Sequence, residues 1–94
     1  MTSLRDLELF VSTADAGSLS AAARRLDLTP AAASASLKRL ESELGIQLFV
    51  RSTRSQRLTQ QGEVYLEHCR QALQLLADGR QALAAGHSVI SGQL

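Results

Sequence analysis

Leu4, Leu7, Phe10, Val11 and Ala14 recur three and four residues apart, the spacing of a helix with one apolar face turned inward. Ser3 or Thr2 is placed to cap its start, and Gly17 to end it. A second helix follows at once, with Ser18 as N-cap and the alanines carrying it to about Leu26. Asp27 and Leu28 leave only a short turn before Thr29, another N-cap residue. Pro30 then stands at the first helical position, where its fixed φ and missing N–H are tolerated. Gly45 supplies the stop of this third helix. Two short helices so close in sequence cannot lie antiparallel and must cross steeply.

The third helix divides into faces at about 100° per residue. Ala33, Leu37, Leu40 and Leu44 form the inward stripe, while Ala31, Ala35, Lys38 and Ser42 lie opposite, with Ser34 on the flank. A polar outer face alone fits any amphipathic helix. Here, however, small side chains near the start let the helix sink toward a base-pair floor, and Lys38 can reach a phosphate or a guanine. The next segment, IQLFVRSTRSQRLT, reads as a strand, a basic turn and a short returning strand. Ile46, Leu48 and Val50 alternate with Gln47, Phe49 and Arg51, a weak two-residue period. Arg51, Arg54 and Arg57 come three apart, with no acid between Leu44 and Gln60. A basic hairpin directly after such a helix is a wing, suited to phosphate or minor-groove contact. The fold class expected is therefore mainly α: a winged helix-turn-helix of three helices and a short β-hairpin, followed by a long helix.

That long helix runs from Thr59 to about Ala85. Leu66, Cys69, Leu73, Leu76, Arg80 and Leu83 alternate three and four apart, a heptad seam with one charged interruption. Tyr65, Ala72 and Gly79 line a neighbouring row, where small residues permit close helix approach. Packing back on its own domain covers only the first turns, so the rest needs another surface. The same helix of a second subunit is the expected cover, giving a two-fold homodimer through residues 59–86 with Leu66, Cys69, Ala72, Leu73, Leu76 and Leu83 as contacts. A downstream domain is the alternative cover. The division expected is 1–58 for the winged unit, 59–86 for the linker helix and 87–94 for a connection onward to a missing effector domain.

Charge sharpens this picture locally. The chain carries a formal charge of only +1. Between Ser18 and Leu58, however, seven cationic residues face three acids, a net of +4 where the motif lies. A protein that coats nucleic acid by charge alone would be far more basic, so shape-matched binding of double-stranded DNA is favoured. A dimeric protein-interaction module and a non-specific DNA-binding protein remain the other readings. Nothing points to catalysis. Cys69 is the single cysteine and lies on an apolar stripe, which fits a reducing cytoplasm. His68 and His87 lack companions at metal-ligand spacing, and neither a phosphate-binding glycine loop nor a nucleophile elbow occurs. No apolar run approaches membrane-spanning length, and no signal-peptide pattern opens the chain.

With these residues in hand, the sequence resembles the LysR-type transcriptional regulators. Leu4, Leu7 and Phe10 fit that family's opening helix and Gly17-Ser18 its first turn. Ala22-Ala23 and Leu26 fit the second helix; Thr29-Pro30, Ser34, Leu37, Leu40, Glu41, Leu44 and Gly45 fit the recognition helix. Leu48-Phe49 with Arg51 fit the wing, and Leu58-Thr59 with Gly62 the start of the linker helix. The resemblance implies dimeric binding to bent promoter DNA, with each recognition helix in a major groove. It also implies a larger domain, following this one, that takes a small-molecule inducer; this segment itself needs no cofactor. By position it implies DNA contacts from Ser18, Ser20, Thr29, Pro30, Ala31, Ser34, Ala35 and Lys38, and from Arg51 and Arg54 in the wing. Two positions depart from the family's habit. Ala35 stands where Arg or Lys is frequent, and Ala33 where a larger apolar residue usually packs. A helix with Ala31 and Ala35 outward is expected to read thymine methyls and DNA shape more than bidentate base pairs.

Overall fold

The computed structural model describes residues 2–51 and 56–85, with the Arg51 side chain left aside. The element order is α1 (Leu4–Ala16), α2 (Leu19–Arg25), α3 (Pro30–Leu44), β1 (Phe49–Arg51), β2 (Gln56–Leu58) and α4 (Gln60–Ala85). Each of the first three helices starts on the capping residue its sequence offers. The side-chain oxygens of Ser3, Ser18 and Thr29 accept the backbone N–H groups of Asp6, Ala21 and Ala32 at 3.2, 3.0 and 3.1 Å. These bonds satisfy donors that a helix start leaves open. Gly17 and Gly45 end α1 and α3 with φ of 75° and 69°, the left-handed conformation that lacks a steric penalty only in glycine.

The turn between α2 and α3 is held from two directions. Asp27 takes a φ of 56°, and the Leu28 N–H reaches back to the Ala23 carbonyl at 2.8 Å. From α1, the Arg5 guanidinium donates to the Leu26 carbonyl at 2.7 Å. The turn between α2 and α3 is thereby tied to the first helix.

Two apolar clusters support the domain. Leu9, Ala22, Ala23 and Ala33 pack beneath the start of α3, with Leu19, Leu26 and Leu28 around them. Phe10, Leu37, Leu40, Leu48, Phe49, Leu66 and Cys69 form the larger cluster, which joins α1, α3, the wing root and α4. Phe10 meets the Phe49 ring edge-on at 5.6 Å and Tyr65 at 5.9 Å, distances that suit aromatic attraction.

Three features differ from the sequence reading. On α1, Leu9 is fully buried and Leu4 is exposed. This helix is packed by α2 and α3 on one side and by α4 on the other, so its buried arc is wider than one stripe. In the wing, the expected alternation gives way to consecutive burial of Leu48 and Phe49, with Val50 exposed. Leu48 precedes the ladder, which pairs Phe49 with Leu58, Val50 with Arg57 and Arg51 with Gln56. Its backbone is instead held by Glu41 and Thr59, so the two-residue period starts one position late.

The third difference concerns the seam of α4. Leu66 and Cys69 are corrected from dimer contacts to core residues, because both are buried within their own domain. Leu73 is half-buried, while Ala72, Leu76 and Leu83 stay exposed. At 1.5 Å per residue the helix is about 39 Å long, and it dominates the 56 Å long axis of the molecule. Among the described residues, no helix is long and apolar enough to cross a membrane.

Candidate nucleic-acid interface

α3 turns Pro30, Ala31, Ala35, Lys38 and Ser42 to solvent, with Ser34 half-buried beside them. The face carries methyl groups and hydroxyls for two turns and a single ammonium group further along. Its depth comes from residue size, since alanine lets the helix backbone approach a surface closely. Thr29 is exposed at the helix start; its oxygen caps Ala32 while its hydroxyl hydrogen remains available to an outside acceptor. The Ser18 hydroxyl plays the same double role at α2, half-buried, and Ser20 is exposed two residues on. Arg24 and Arg25 end α2 exposed. Among the described residues, no acid forms a salt bridge with Arg24, Arg25 or Lys38.

The wing starts close to this face. Lys38, Glu41, Gln47, Phe49 and Val50 line a cleft between α3 and β1, so the outer surface of α3 and the wing root form one continuous wall. Arg57 on β2 is exposed. Arg51 lies in β1, but its side chain, and Arg54 altogether, fall outside the described residues, as do residues 87–94 with His87.

Several residues set this geometry in ways the sequence reading did not assign to them. The Glu41 carboxylate accepts the Leu48 N–H at 2.8 Å and the Phe49 N–H at 3.4 Å, tying the wing root to α3. Thr59 donates its hydroxyl to the Gln47 carbonyl at 2.6 Å, and its oxygen caps α4 through the Gly62 N–H at 2.9 Å. Behind α3, Asp6 of α1 is buried against Ser36 and Arg39. Burial opposes its ionisation, but the Ser36 and Arg39 hydrogen bonds, the Arg39 charge and the Ser3 hydroxyl outweigh it and hold the carboxyl below its ordinary range. A polar Ser36 interrupting the buried side of α3 was the one sequence signal of this arrangement. Nothing in the pattern of α1 marked Asp6.

Burial pushes the Cys69 thiol up, against a lowering contact from Tyr65, so the group is held as a neutral core residue. Among the described residues, no cluster of His, Cys, Asp and Glu is arranged to hold a metal.

The chain is also similar to known proteins. The family profile described as bacterial regulatory helix-turn-helix protein, lysR family, matches residues 4–63. The chain is 41% identical over 91 residues to the probable HTH-type transcriptional regulator LtrA of Klebsiella pneumoniae, covering 97% of this chain and 29% of that protein. It is 41% identical over 76 residues to the HTH-type transcriptional regulator AlsR of Bacillus subtilis, covering 81% and 25%. The chain thus spans less than a third of the length of these relatives. Among solved structures, it is similar to the DNA-binding domain of CbnR in complex with DNA, with a TM-score of 0.79 and 35% identity over 89% of this chain and 98% of that one. The DNA-binding domain of BenM in complex with catB site 1 DNA gives a TM-score of 0.77 and 29% identity over 98% and 96%.

Proposed function

Because the chain belongs to the LysR family of bacterial helix-turn-helix regulators and is a DNA-binding winged helix-turn-helix module rather than an enzyme, we propose that it reads a specific operator as a dimer. The observation that carries this reading is the outer face of α3, where Ala31, Ala35 and Lys38 are exposed among the described residues. In this reading α3 enters a major groove. Ser34, Ala31 and Ala35 meet base edges and thymine methyls, and Lys38 meets a phosphate or a guanine. Thr29 and Pro30 approach the backbone at the positive end of the helix, with Ser18 and Ser20 contacting phosphates from α2. Arg51 and Arg54 complete the footprint from the wing.

Dimerisation belongs to the same proposal. Val64, Leu75, Leu76 and Leu83 are exposed large apolar side chains on α4. With Ala72 and Gly79 they fall within an arc of about 120° at 100° per residue. The contact set proposed therefore shifts from the seam expected first: Ala72, Leu76 and Leu83 stay, buried Leu66 and Cys69 and half-buried Leu73 leave, and Val64 and Leu75 join. A two-fold pairing on this arc spaces two reading units of residues 1–58 across half-sites about one helical turn, or a multiple, apart.

Selection of bound sequences from a random duplex pool at physiological salt tests the proposal. A two-fold motif with fixed spacing is the expected result. A pool that stays random, with binding that falls steeply as salt rises, identifies a non-specific DNA-binding protein. Absence of DNA binding favours a protein-interaction module.

A further inference from the structure

Asp6 stands outside the DNA-facing surface, yet it is one of three buried polar side chains among the described residues, and a second, Ser36, touches it. The Ser36 hydroxyl donates to one carboxylate oxygen of Asp6. Arg39, one turn further along α3, donates to the same oxygen through Nη2 at 3.1 Å and faces the other through Nε at 3.4 Å. The Ser3 hydroxyl, capping α1, lies at the backbone of the same residue. One acid on α1 thus grips α3 at two successive turns, from the side opposite Ala31, Ser34 and Lys38.

The apolar packing near this grip is weakly shaped. Beneath the start of α3 lie Ala22, Ala23 and Ala33, with Leu9 the only large side chain fully buried there. Methyl groups interlock too little to fix how a helix is rolled about its axis. Hydrogen bonds to a carboxylate are directional and do fix it. Roll matters here because the reading face is short-armed. At about 5 Å from the axis, a 10° roll moves a group by about 1 Å, enough to spoil a methyl contact or a serine hydrogen bond. A long arginine would absorb such a shift; Ala31, Ser34 and Ala35 cannot.

We infer that Asp6 is a positioning residue for the recognition helix: through Ser36 and Arg39 it sets the roll of α3, and with it the base preference of the protein. The inference rests on the operator-reading function proposed above. Its test uses the whole chain with two duplexes, one selected from the random pool and one scrambled. The readings are the ratio of the two dissociation constants, the salt slope for each duplex, and helicity with thermal unfolding. Asp6→Ala is expected to lower the ratio about tenfold, or roughly 1.4 kcal/mol, with scrambled-duplex affinity and salt slope unchanged. Asp6→Asn, which still accepts the Ser36 hydroxyl, should fall between that variant and the wild type, and Ser36→Ala should also lower the ratio. If Asp6→Ala does not fold, the other two variants decide the matter. Folded variants that keep the wild-type ratio overturn the inference alone, as does an equal loss of affinity for both duplexes. A wild type without preference overturns the operator reading, and this inference with it.

Discussion

A Cβ on Gly62 would stand 2.2 Å from the Leu48 carbonyl oxygen, so one of two backbones must give way. Neither yields easily, since the Leu48 carbonyl accepts the Thr59 N–H at 2.9 Å and its own N–H is held by Glu41. Two effects compete in Gly62→Ala. Alanine favours a helix by about 1 kcal/mol over glycine, whereas overpacking against fixed backbone costs about 1–3 kcal/mol or more. The second is expected to win by about 1–2 kcal/mol, read as a lower Tm and a smaller free energy of unfolding in urea. A raised Tm would refute the close approach of α4 to the wing root. Asp6 gives a pH-dependent counterpart. Its carboxyl is held below the ordinary value of 3.8, so its ionised form contributes stability fully above that value, and the contribution is lost as pH falls through the lower folded pKa. The Tm advantage of wild type over Asp6→Asn is therefore expected to be larger at pH 7 than at pH 2.5, and an advantage that grows toward acid would contradict the arrangement.

Among the elements, α3 is the one on which the proposed specificity rests. Ala35 is exposed on the outer face one turn from Ala31, and in Ala35→Arg a guanidinium would enter the groove with two parallel donors for a guanine. Binding is expected to tighten and the preference at one base position to move toward guanine, with a change on the order of 1–3 kcal/mol; a panel of single-base site variants reads both. An unchanged rank order and strength would mean that Ala35 does not face the groove. This face was legible from the sequence because capping residues are local. Ser18, Thr29, Pro30 and Gly45 fix where helices begin and end without reference to anything distant, and their phase decides which residues point outward. Tertiary packing was less legible. Leu9 falls off the Leu4–Leu7–Phe10 stripe, and only the presence of helices on two sides of α1 buries it. Leu48 and Phe49 broke the alternation because a carboxylate seven residues upstream takes the Leu48 N–H, while the Leu48 carbonyl accepts the N–H of Thr59 eleven residues downstream, so Leu48 is anchored at the wing root ahead of the ladder. Asp6 has the same character, since its partners lie 30 and 33 residues away. The α4 seam carried two signals at once: Leu66 and Cys69 in its first half close the core of the domain, and Leu76 and Leu83 in its second half stay exposed.

At the scale of the whole molecule, the proposed dimer makes α4 the element on which joint action of two reading units depends. Its exposed apolar arc differs from its buried side in what a charge would do. Leu66 and Cys69 are part of the core, so a glutamate there would unfold the domain and reveal nothing about assembly. Leu75 is 72% exposed and Leu83 64% exposed, so a charge at either costs the isolated chain little while facing a desolvated partner in a dimer. Leu75→Glu and Leu83→Glu are each expected to raise the dimer dissociation constant at least tenfold, about 1.4 kcal/mol, with helicity and Tm near wild type at low concentration. Sedimentation equilibrium measures the first and circular dichroism the second. Affinity for a two-fold operator should fall with the dimer, because one reading head then binds without the other, while affinity for a single half-site should stay. Removing one residue from the exposed stretch of α4 turns whatever follows by about 100° and withdraws it by about 1.5 Å. Contacts on both sides of the deletion would then no longer share one face. That shortened chain should behave as the glutamate variants do, folded and competent for half-sites but poor on the full operator. Dimers that survive both substitutions and the deletion would move the interface off this arc, and with it the geometric basis for the half-site spacing.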